Sequence, residues 1–325
     1  MQESKYFRLE DITEMSMGEV RSTSIDWCGS KQSFSHQEPD FRLNGKGTAV
    51  FGGLALVEPS LWCNTDEIGN ISPLFLEKGI TSTLWMRPDN PTPKQLADDG
   101  RALKNKVAVN IGWLIKMQKN QTVEGIRALE EAPVVVGFWA DSEWINQPDL
   151  AVISAYERPI ILDAKSADLS AYQRVLAAFK AMKKRPIILN APMFHPRDYP
   201  ELVSLQAIGH TLSDKNGQSI GGTYLPILSH KSQLNAQNNS FWQQRVNGDK
   251  LAQNWLIFYA QSQIYKAYSV FNIAYKGRKM PGYDADIVVL DGHFRPKTAI
   301  IGGTISLWEN EFLHEYNGTG LKTWR

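Results

Sequence analysis

From about Thr48 onward, the chain alternates short apolar segments with amphipathic ones. Each apolar segment is a short hydrophobic or β-branched run, which is typical of a strand buried on both faces of a sheet. We predict eight such strands, at residues 49–57, 79–86, 106–113, 133–139, 158–163, 185–190, 203–209 and 223–229. An α/β protein built on parallel strands is therefore expected.

Amphipathic helices are predicted between several of these strands, at residues 92–104, 123–131 and 170–184. In the last of them, apolar side chains recur with helical spacing at Tyr172, Val175, Leu176, Phe179 and Met182. A longer helix is predicted after the eighth strand, at residues 251–273. Eight strands alternating with helices match a (β/α)8 TIM barrel. A doubly wound sheet would alternate in the same way, so the number of strands favours the barrel over that alternative.

The two ends of the chain have a different pattern. Residues 1–47 are mostly polar, with strand-like pieces at 20–27 and 40–43. The segment from Gly282 onward is again rich in strand-forming residues. Both ends are therefore expected to form β-structure outside the alternating region.

Composition narrows the functional classes. The 325 residues are enough for one large domain and a small accessory one. With 35 Lys and Arg against 34 Asp and Glu, the formal net charge is +1, so we expect neither a nucleic-acid partner nor a membrane partner. The two cysteines, Cys28 and Cys63, form neither a disulfide framework nor a metal knuckle. Because residues 1–10 lack an apolar signal core, a cytoplasmic location is expected.

Five stretches carry a resemblance to a known family. They are, in chain order, TAVFGGLALVEPS at 48–60, GITSTLWMRPDNP at 79–91, PVVVGFW at 133–139, PIILDA at 159–164 and GYDADIVVLD at 282–291. Their order and spacing resemble the amidohydrolase superfamily, in particular its dihydroorotase, allantoinase and hydantoinase branch. The resemblance implies a TIM-barrel domain at residues 48–280 and a small β-sandwich domain formed by residues 1–47 and 281–325.

The resemblance also implies where a binuclear metal centre would lie. The family's metal ligands would fall on Glu58, Ser60, Trp139, Asp163, Asn190 and Ser229, which is followed by His230. No His-x-His pair occurs anywhere in the sequence. Zinc and similar ions need several soft or charged donors at short distance, which this set does not supply. We therefore predict that the metal centre is absent and that no cofactor is bound.

The family's substrate contacts are matched only in part. The arginine that follows the metal pair in dihydroorotases would fall on Trp62. The asparagine of the second strand would fall on Pro88 or, with a shift, on Asn90. Asn90 and Asn190 are the two candidates for substrate binding.

Other chemistry could use the same place, because catalytic groups of barrel enzymes lie at the carboxyl ends of the strands. The ionisable residues expected there are Glu58, Asp141, Glu143, Asp163, Lys165, His195 and His230. Such a set could perform metal-free acid–base catalysis. Each residue also has a simpler explanation, as part of a solvated loop, a loop ion pair or a helix cap. The absence of a G-x-S-x-G elbow, a Walker loop and a G-x-G-x-x-G motif argues against serine hydrolases, nucleotidases and Rossmann folds.

Three functional hypotheses follow from these patterns. The first is a dihydroorotase-like protein without catalysis that acts as a structural or regulatory partner, with an assembly role in pyrimidine metabolism as one version. Its partner would be a second copy of the chain or a hetero-partner such as a transcarbamoylase-like subunit. The second is an amidohydrolase acting on cyclic amide C–N bonds with a metal-free or single-metal site. The third is a small-molecule binding protein without turnover.

Overall fold

The computed structural model describes residues 5–16, 19–33, 38–184, 186–189, 227–228, 242, 253–313 and 316–323. These residues form fifteen strands, β1–β15, at Tyr6–Ser16, Glu19–Cys28, Lys31–Ser33, Phe41–Phe51, Leu54–Val57, Ser82–Arg87, Asn110–Lys116, Val135–Ala140, Ile160–Asp163, Ile187–Leu189, Ile227–Leu228, Ile287–Leu290, Pro296–Ile301, Thr304–Trp308 and Glu311–Phe312. Six α-helices, α1–α6, span Thr65–Glu77, Pro93–Leu103, Val123–Glu131, Ser142–Asn146, Leu169–Ala181 and Gln253–Val270, and two 3-10 helices span Pro59–Leu61 and Leu150–Ala155. The strands belong to two separate sheets, so the protein is a mixed α/β fold.

Seven strands form a curled parallel sheet in the order β10-β9-β8-β7-β6-β5-β11. The strands β6 and β8 are buried along their whole length, as expected for a parallel sheet covered by helices. Five predicted strands, from 79–86 to 185–190, are confirmed as β6–β10, although β7 begins at Asn110 rather than at residue 106. The short β11 is the described part of the predicted strand 223–229. The predicted strand 203–209 lies outside the described residues.

The predicted strand at 49–57 was wrong, because the structure has two strands there. β4 belongs to the second sheet and β5 to the parallel sheet, and Gly52 and Gly53 separate them. Gly52 has a φ of +79°, which favours glycine. A Cβ atom on Gly53 would lie only 2.2 Å from the carbonyl oxygen of Gly79. The apolar run therefore continues through a glycine pair that turns the chain from one sheet into the other.

Helices α1–α5 each begin after a residue whose side chain accepts a hydrogen bond from the first turn. Thr92 and Gln95 form a reciprocal capping box at the start of α2, and Thr122 caps α3 in the same sense. The helix predicted at 123–131 is confirmed with the same bounds, and those predicted at 92–104, 170–184 and 251–273 are the slightly shorter α2, α5 and α6. None of the helices in the described ranges has the length and apolar character needed to span a bilayer.

The second sheet has eight strands in the order β15-β14-β13-β12-β4-β1-β2-β3. All its pairings are antiparallel except the parallel one between β1 and β4. Its strands come from both ends of the chain, including the predicted strand-like pieces at 20–27 and 40–43, which are parts of β2 and β4. Gly302 and Gly303 make the turn between β13 and β14, and both have a positive φ, which suits a two-residue hairpin.

A buried ion network connects the second sheet with the start of β7. The ammonium group of Lys276 lies 2.5 Å from an oxygen of Asp286 and 2.8 Å from an oxygen of Asp284. Asp286 also accepts hydrogen bonds from the side-chain amide of Asn110 and from the backbone N–H of Gly302, each at 2.8 Å. Burial alone would lower the pKa of Lys276, but the two carboxylates outweigh it and raise that pKa. Asp286 of the GYDADIVVLD stretch therefore links the segment before β12 to β7, and Lys276 connects it to Asp284.

The acid stability of the protein is expected to depend on Asp26 of β2. Arg8 donates two hydrogen bonds to this carboxylate, at 2.7 and 2.9 Å, and the Tyr6 hydroxyl donates a third at 2.8 Å. Burial raises the pKa of Asp26, but these bonds outweigh it and leave the pKa below its ordinary value. The carboxylate thus stabilises the fold above about pH 3.9, and this stabilisation is lost as the pH falls through the lower pKa of the folded state.

We expect the free energy of unfolding to fall less steeply on acidification in Asp26→Asn than in the wild type, as measured by urea unfolding between about pH 6 and pH 2. Arg8→Met should flatten the same part of the curve, because it removes the cation that lowers the pKa. Identical slopes in the wild type and Asp26→Asn would contradict this assignment.

Candidate functional site

The carboxyl ends of the parallel strands form the candidate site, and the strand registers identify the side chains that face it. Arg87 of β6 pairs with Asp99 of α2, so its side chain lies on the helix-covered face. Its register partner on β7 is Ile115, and residues paired across strands share a face of the sheet. Because successive side chains alternate, Lys116 and its own partner on β8, Trp139, face the concave side.

Trp139 occupies the position that the family resemblance assigns to the bridging lysine. Its side chain is buried, with 4% of the residue exposed. The indole N–H donates a hydrogen bond of 3.1 Å to the backbone carbonyl oxygen of Arg87. An indole is a donor only and has no lone pair with which to bind a metal ion. The ring therefore fills this part of the concave face and is held to the neighbouring strands.

Lys116 introduces a positive charge beside the Trp139 ring. Its ammonium group lies 5.9 Å from the centre of the indole and 2.7 Å from an oxygen of Asp141. Asp141 accepts a hydrogen bond of 2.9 Å from the backbone N–H of Trp144 and so caps α4. Glu143 lies 3.9 Å from Lys116 and is largely exposed. Asp141 and Glu143 therefore lie at the start of a short helix rather than in the solvated loop that we considered.

On the opposite face of the sheet, Arg87 lies in an aromatic pocket. Its guanidinium group is 4.6 Å from the ring centre of Trp62 and 5.3 Å from that of Trp113. Asp89 and Asp99 accept hydrogen bonds from it, at 2.6–2.9 Å and at 2.5 Å. Burial lowers the pKa of Arg87, but the two carboxylates outweigh this effect and raise it. Trp62, the position expected for a substrate-binding arginine, is thus part of the packing between sheet and helices.

The other predicted site residues that the structure describes lie at or just after the ends of further strands. Glu58 follows β5 directly, and its backbone N–H donates to the carbonyl oxygen of Leu228 in β11 at 3.0 Å. Asp163 is the last residue of β9 and accepts a hydrogen bond of 3.4 Å from the backbone N–H of Lys165. Asn90 is exposed in the loop after β6. His195, His230 and Asn190 lie outside the described residues, so their predicted roles stay predictions.

Two residues of the region did not emerge from the sequence pattern. Lys116 is the last residue of the strand NIGWLIK. Its position at the carboxyl end of a buried strand could have marked it as a candidate site residue. Arg87 also ends a strand, but only the packing of α2 against the sheet explains why it turns towards Asp99.

Chemically, an ammonium and a carboxylate beside an indole face can bind the polar end of a small molecule. At four positions that the resemblance assigns to the family's metal ligands, this chain has two carboxylates, a hydroxyl and an indole, which belong to Glu58, Asp163, Ser60 and Trp139. Within the described ranges, no three His, Cys, Asp or Glu side chains are grouped so that they could hold a metal ion.

These features define an α/β protein with a curled parallel sheet, a second largely antiparallel sheet and a site at the strand ends. The same fold occurs in hydantoinases and dihydropyrimidinases. L-Hydantoinase (dihydropyrimidinase) from Arthrobacter aurescens has a TM-score of 0.62 and 14% identity, over 97% of this chain and 99% of that one. Dihydropyrimidinase from Brevibacillus agri has a TM-score of 0.65 and 11% identity, over 98% and 99%. D-Hydantoinase from a Bacillus species has a TM-score of 0.67 and 10% identity, over 98% and 100%.

At such low identities, this likeness establishes the fold and not the activity. No protein-family model matches the sequence, and no curated protein matches it.

Proposed function

We propose that the protein is an amidohydrolase-fold protein of the dihydroorotase and hydantoinase kind that has lost the binuclear metal centre and its catalysis. The observation that carries this proposal is the buried Trp139, whose indole lies where the bridging lysine would be and donates to the carbonyl oxygen of Arg87. Rebuilding the metal centre would require this ring to leave a packed position. Its role would then be that of a structural or regulatory partner.

The proposal includes a closed (β/α)8 barrel. β11 pairs with β5, the first strand of the parallel sheet, while β10 lies at the opposite edge. A single additional strand between β10 and β11 would join the two edges, and the predicted strand at 203–209 lies between them in the chain. The proposed domains are the barrel at 48–280 and the sandwich formed by 1–47 and 281–325.

Metal analysis combined with activity assays tests the loss of catalysis. We expect the purified protein to contain well under one equivalent of zinc, manganese or iron. It should not hydrolyse dihydroorotate, allantoin or hydantoin, whereas the L-hydantoinase from Arthrobacter aurescens, assayed in parallel on hydantoin, is the positive control. A stoichiometric metal together with turnover of any of these cyclic amides would overturn the proposal.

The partner role needs a separate measurement. Size-exclusion chromatography with light scattering would detect a homo-oligomer, and addition of an aspartate transcarbamoylase from the same cells would detect the hetero-complex. The partner role would be refuted if the protein were a strict monomer whose elution volume did not change with any added partner. The proposed loss of catalysis would not be affected by that result.

A second function is favoured by one observation, the ion pair of Lys116 and Asp141 on the concave face at 2.7 Å. This pair could move a proton during metal-free hydrolysis of a cyclic amide. In that case Lys116→Met should abolish a measurable activity, whereas Lys119→Met, which removes contacts to Glu143 and Gln147 but none to Asp141, should leave it nearly unchanged.

A further inference from the structure

A cavity lies at the opposite end of the parallel sheet from the strand-end site, by the amino ends of β7 and β8. Its volume is about 580 Å³, within the range of small-molecule sites. The last turns of α2, the segment before β8 and the C-terminal residues 319–323 line it. Since β7 is seven residues long, roughly 20 Å separates this cavity from the strand-end site. The two sites are therefore distinct.

The wall made by the C-terminal segment is held in place by backbone hydrogen bonds. Ile111 donates to the carbonyl oxygen of Thr319 at 2.9 Å and accepts from the N–H of Leu321 at 2.8 Å. The N–H of Gly318 donates to the carbonyl oxygen of Val107 at 2.9 Å. This segment therefore runs beside β7 like an additional strand, and the cavity behind it is formed before any ligand arrives.

The interior of the cavity is apolar, and a glycine keeps it open. Leu103, Val107 and Val134 contribute buried hydrophobic side chains to it. Gly100 lies inside α2, where glycine costs about 0.5–1 kcal/mol relative to alanine. A Cβ atom at this position would approach nothing closer than Val134 at 3.8 Å, so close packing does not require glycine there. The missing side chain instead leaves free volume along the cavity wall.

The rim of the cavity is positively charged. Lys104 and Lys322 both line it and are exposed. Among the described residues, neither lysine has an ion-pair partner, whereas Arg101 pairs with Asp98 and Arg158 donates to the backbone carbonyl oxygens of Glu130 and Val135. Of the described residues that line the cavity, Glu131 alone is acidic. The two lysines are thus the cations available to a ligand.

We propose that this cavity binds a small amphipathic carboxylate, with its hydrocarbon part in the apolar interior and its carboxylate at Lys104 and Lys322. An apolar interior with cations at the entrance selects this ligand chemistry over a neutral hydrocarbon or a fully polar anion. The site is independent of the strand-end site and of the loss of metal there.

Calorimetric titration of the full-length protein with octanoate tests the proposal. We expect saturable binding that weakens at least about tenfold in Gly100→Leu, because the new side chain fills the cavity. Gly100→Ala is the matched control, since its single methyl group has room at 3.8 Å and should leave binding nearly unchanged. Lys104→Gln combined with Lys322→Gln should weaken octanoate binding by roughly tenfold and leave octanol binding unchanged.

Circular dichroism shows whether Gly100→Leu folds. If it does not, Ala97→Leu is the alternative filling variant, because Ala97 lies about one turn earlier on the same helix and also lines the cavity. Loss of binding in either folded filling variant supports the site. Absence of binding at millimolar octanoate in the wild type would overturn it. Equal octanoate affinity in the wild type and the filling variants would overturn it as well, because the ligand would then bind elsewhere.

Discussion

Replacing Lys276 with Met is expected to lower the free energy of unfolding by about 3–5 kcal/mol, because removing one member of a buried ion pair leaves its partner charged and unpaired. The side chain of Lys276 is only 4% exposed, and that of Asp286 is 2% exposed. After the substitution, Asp286 would keep its donors Asn110 and Gly302 but would lose its only full positive charge among the described residues. Urea unfolding at neutral pH measures the effect.

Lys31 provides a matched control for this prediction. It also pairs with Asp284, but its side chain is 44% exposed, so Lys31→Met should cost less than about 1 kcal/mol. Adding Asp286→Asn to Lys276→Met should restore part of the lost stability, since the unpaired charge is then removed. If Lys276→Met cost no more than Lys31→Met, the network would not hold the sheets together.

The second large effect is expected at Trp139. Trp139→Ala should destabilise the protein by about 3–5 kcal/mol, because it removes a large buried side chain and leaves a cavity on the concave face. Trp139→Phe should destabilise the protein less, because it keeps most of the ring volume. Its remaining cost comes from the lost hydrogen bond to the carbonyl oxygen of Arg87. Thermal and urea unfolding of both variants measure the difference.

Phe41→Ala is the control for the removal of an aromatic ring, since Phe41 is 42% exposed and its loss leaves no enclosed cavity. A cost at Trp139 as small as that at Phe41 would mean that the indole lies in an open site. The indole would then not fill the place proposed for the lost metal centre, while the fold would be unaffected.

Together, the two substitutions test whether the residues at these two positions stabilise the fold. Asp284 and Asp286, the partners of Lys276, lie in the GYDADIVVLD stretch that carries part of the resemblance to the amidohydrolases, and their contacts are structural. Trp139 lies where that family places its chemistry, and its contacts are also structural. For that reason the likeness to hydantoinases supports a shared fold only. The proposed function rests on the residues at the strand ends.

Several elements were predictable because they depend on residues close together in the chain. The helix at Val123–Glu131 was predicted with its bounds from its amphipathic pattern, and in the structure Thr122 caps it. The buried strands β6 and β8 are uniformly apolar or β-branched runs, which periodicity recognises. The error at residues 49–57 has a local cause as well, because an apolar run does not reveal that Gly52 and Gly53 change its direction.

The candidate site was predictable as a place but not as a set of contacts. The family resemblance placed Glu58, Trp139 and Asp163 at the ends of predicted strands, whereas the pairing of Lys116 with Asp141 depends on the register between β7 and β8. The orientation of Arg87 depends on where α2 packs.

The local pattern of apolar residues thus predicted most strands of the parallel sheet that the structure describes, and most of its helices. Only the tertiary structure decided the partners of its buried charges and the cavity behind the C-terminal segment. Asn110 and Asp286 are 176 residues apart in the chain and 2.8 Å apart in the fold. Such contacts arise from the packing of whole sheets, and no property of the nearby sequence specifies them.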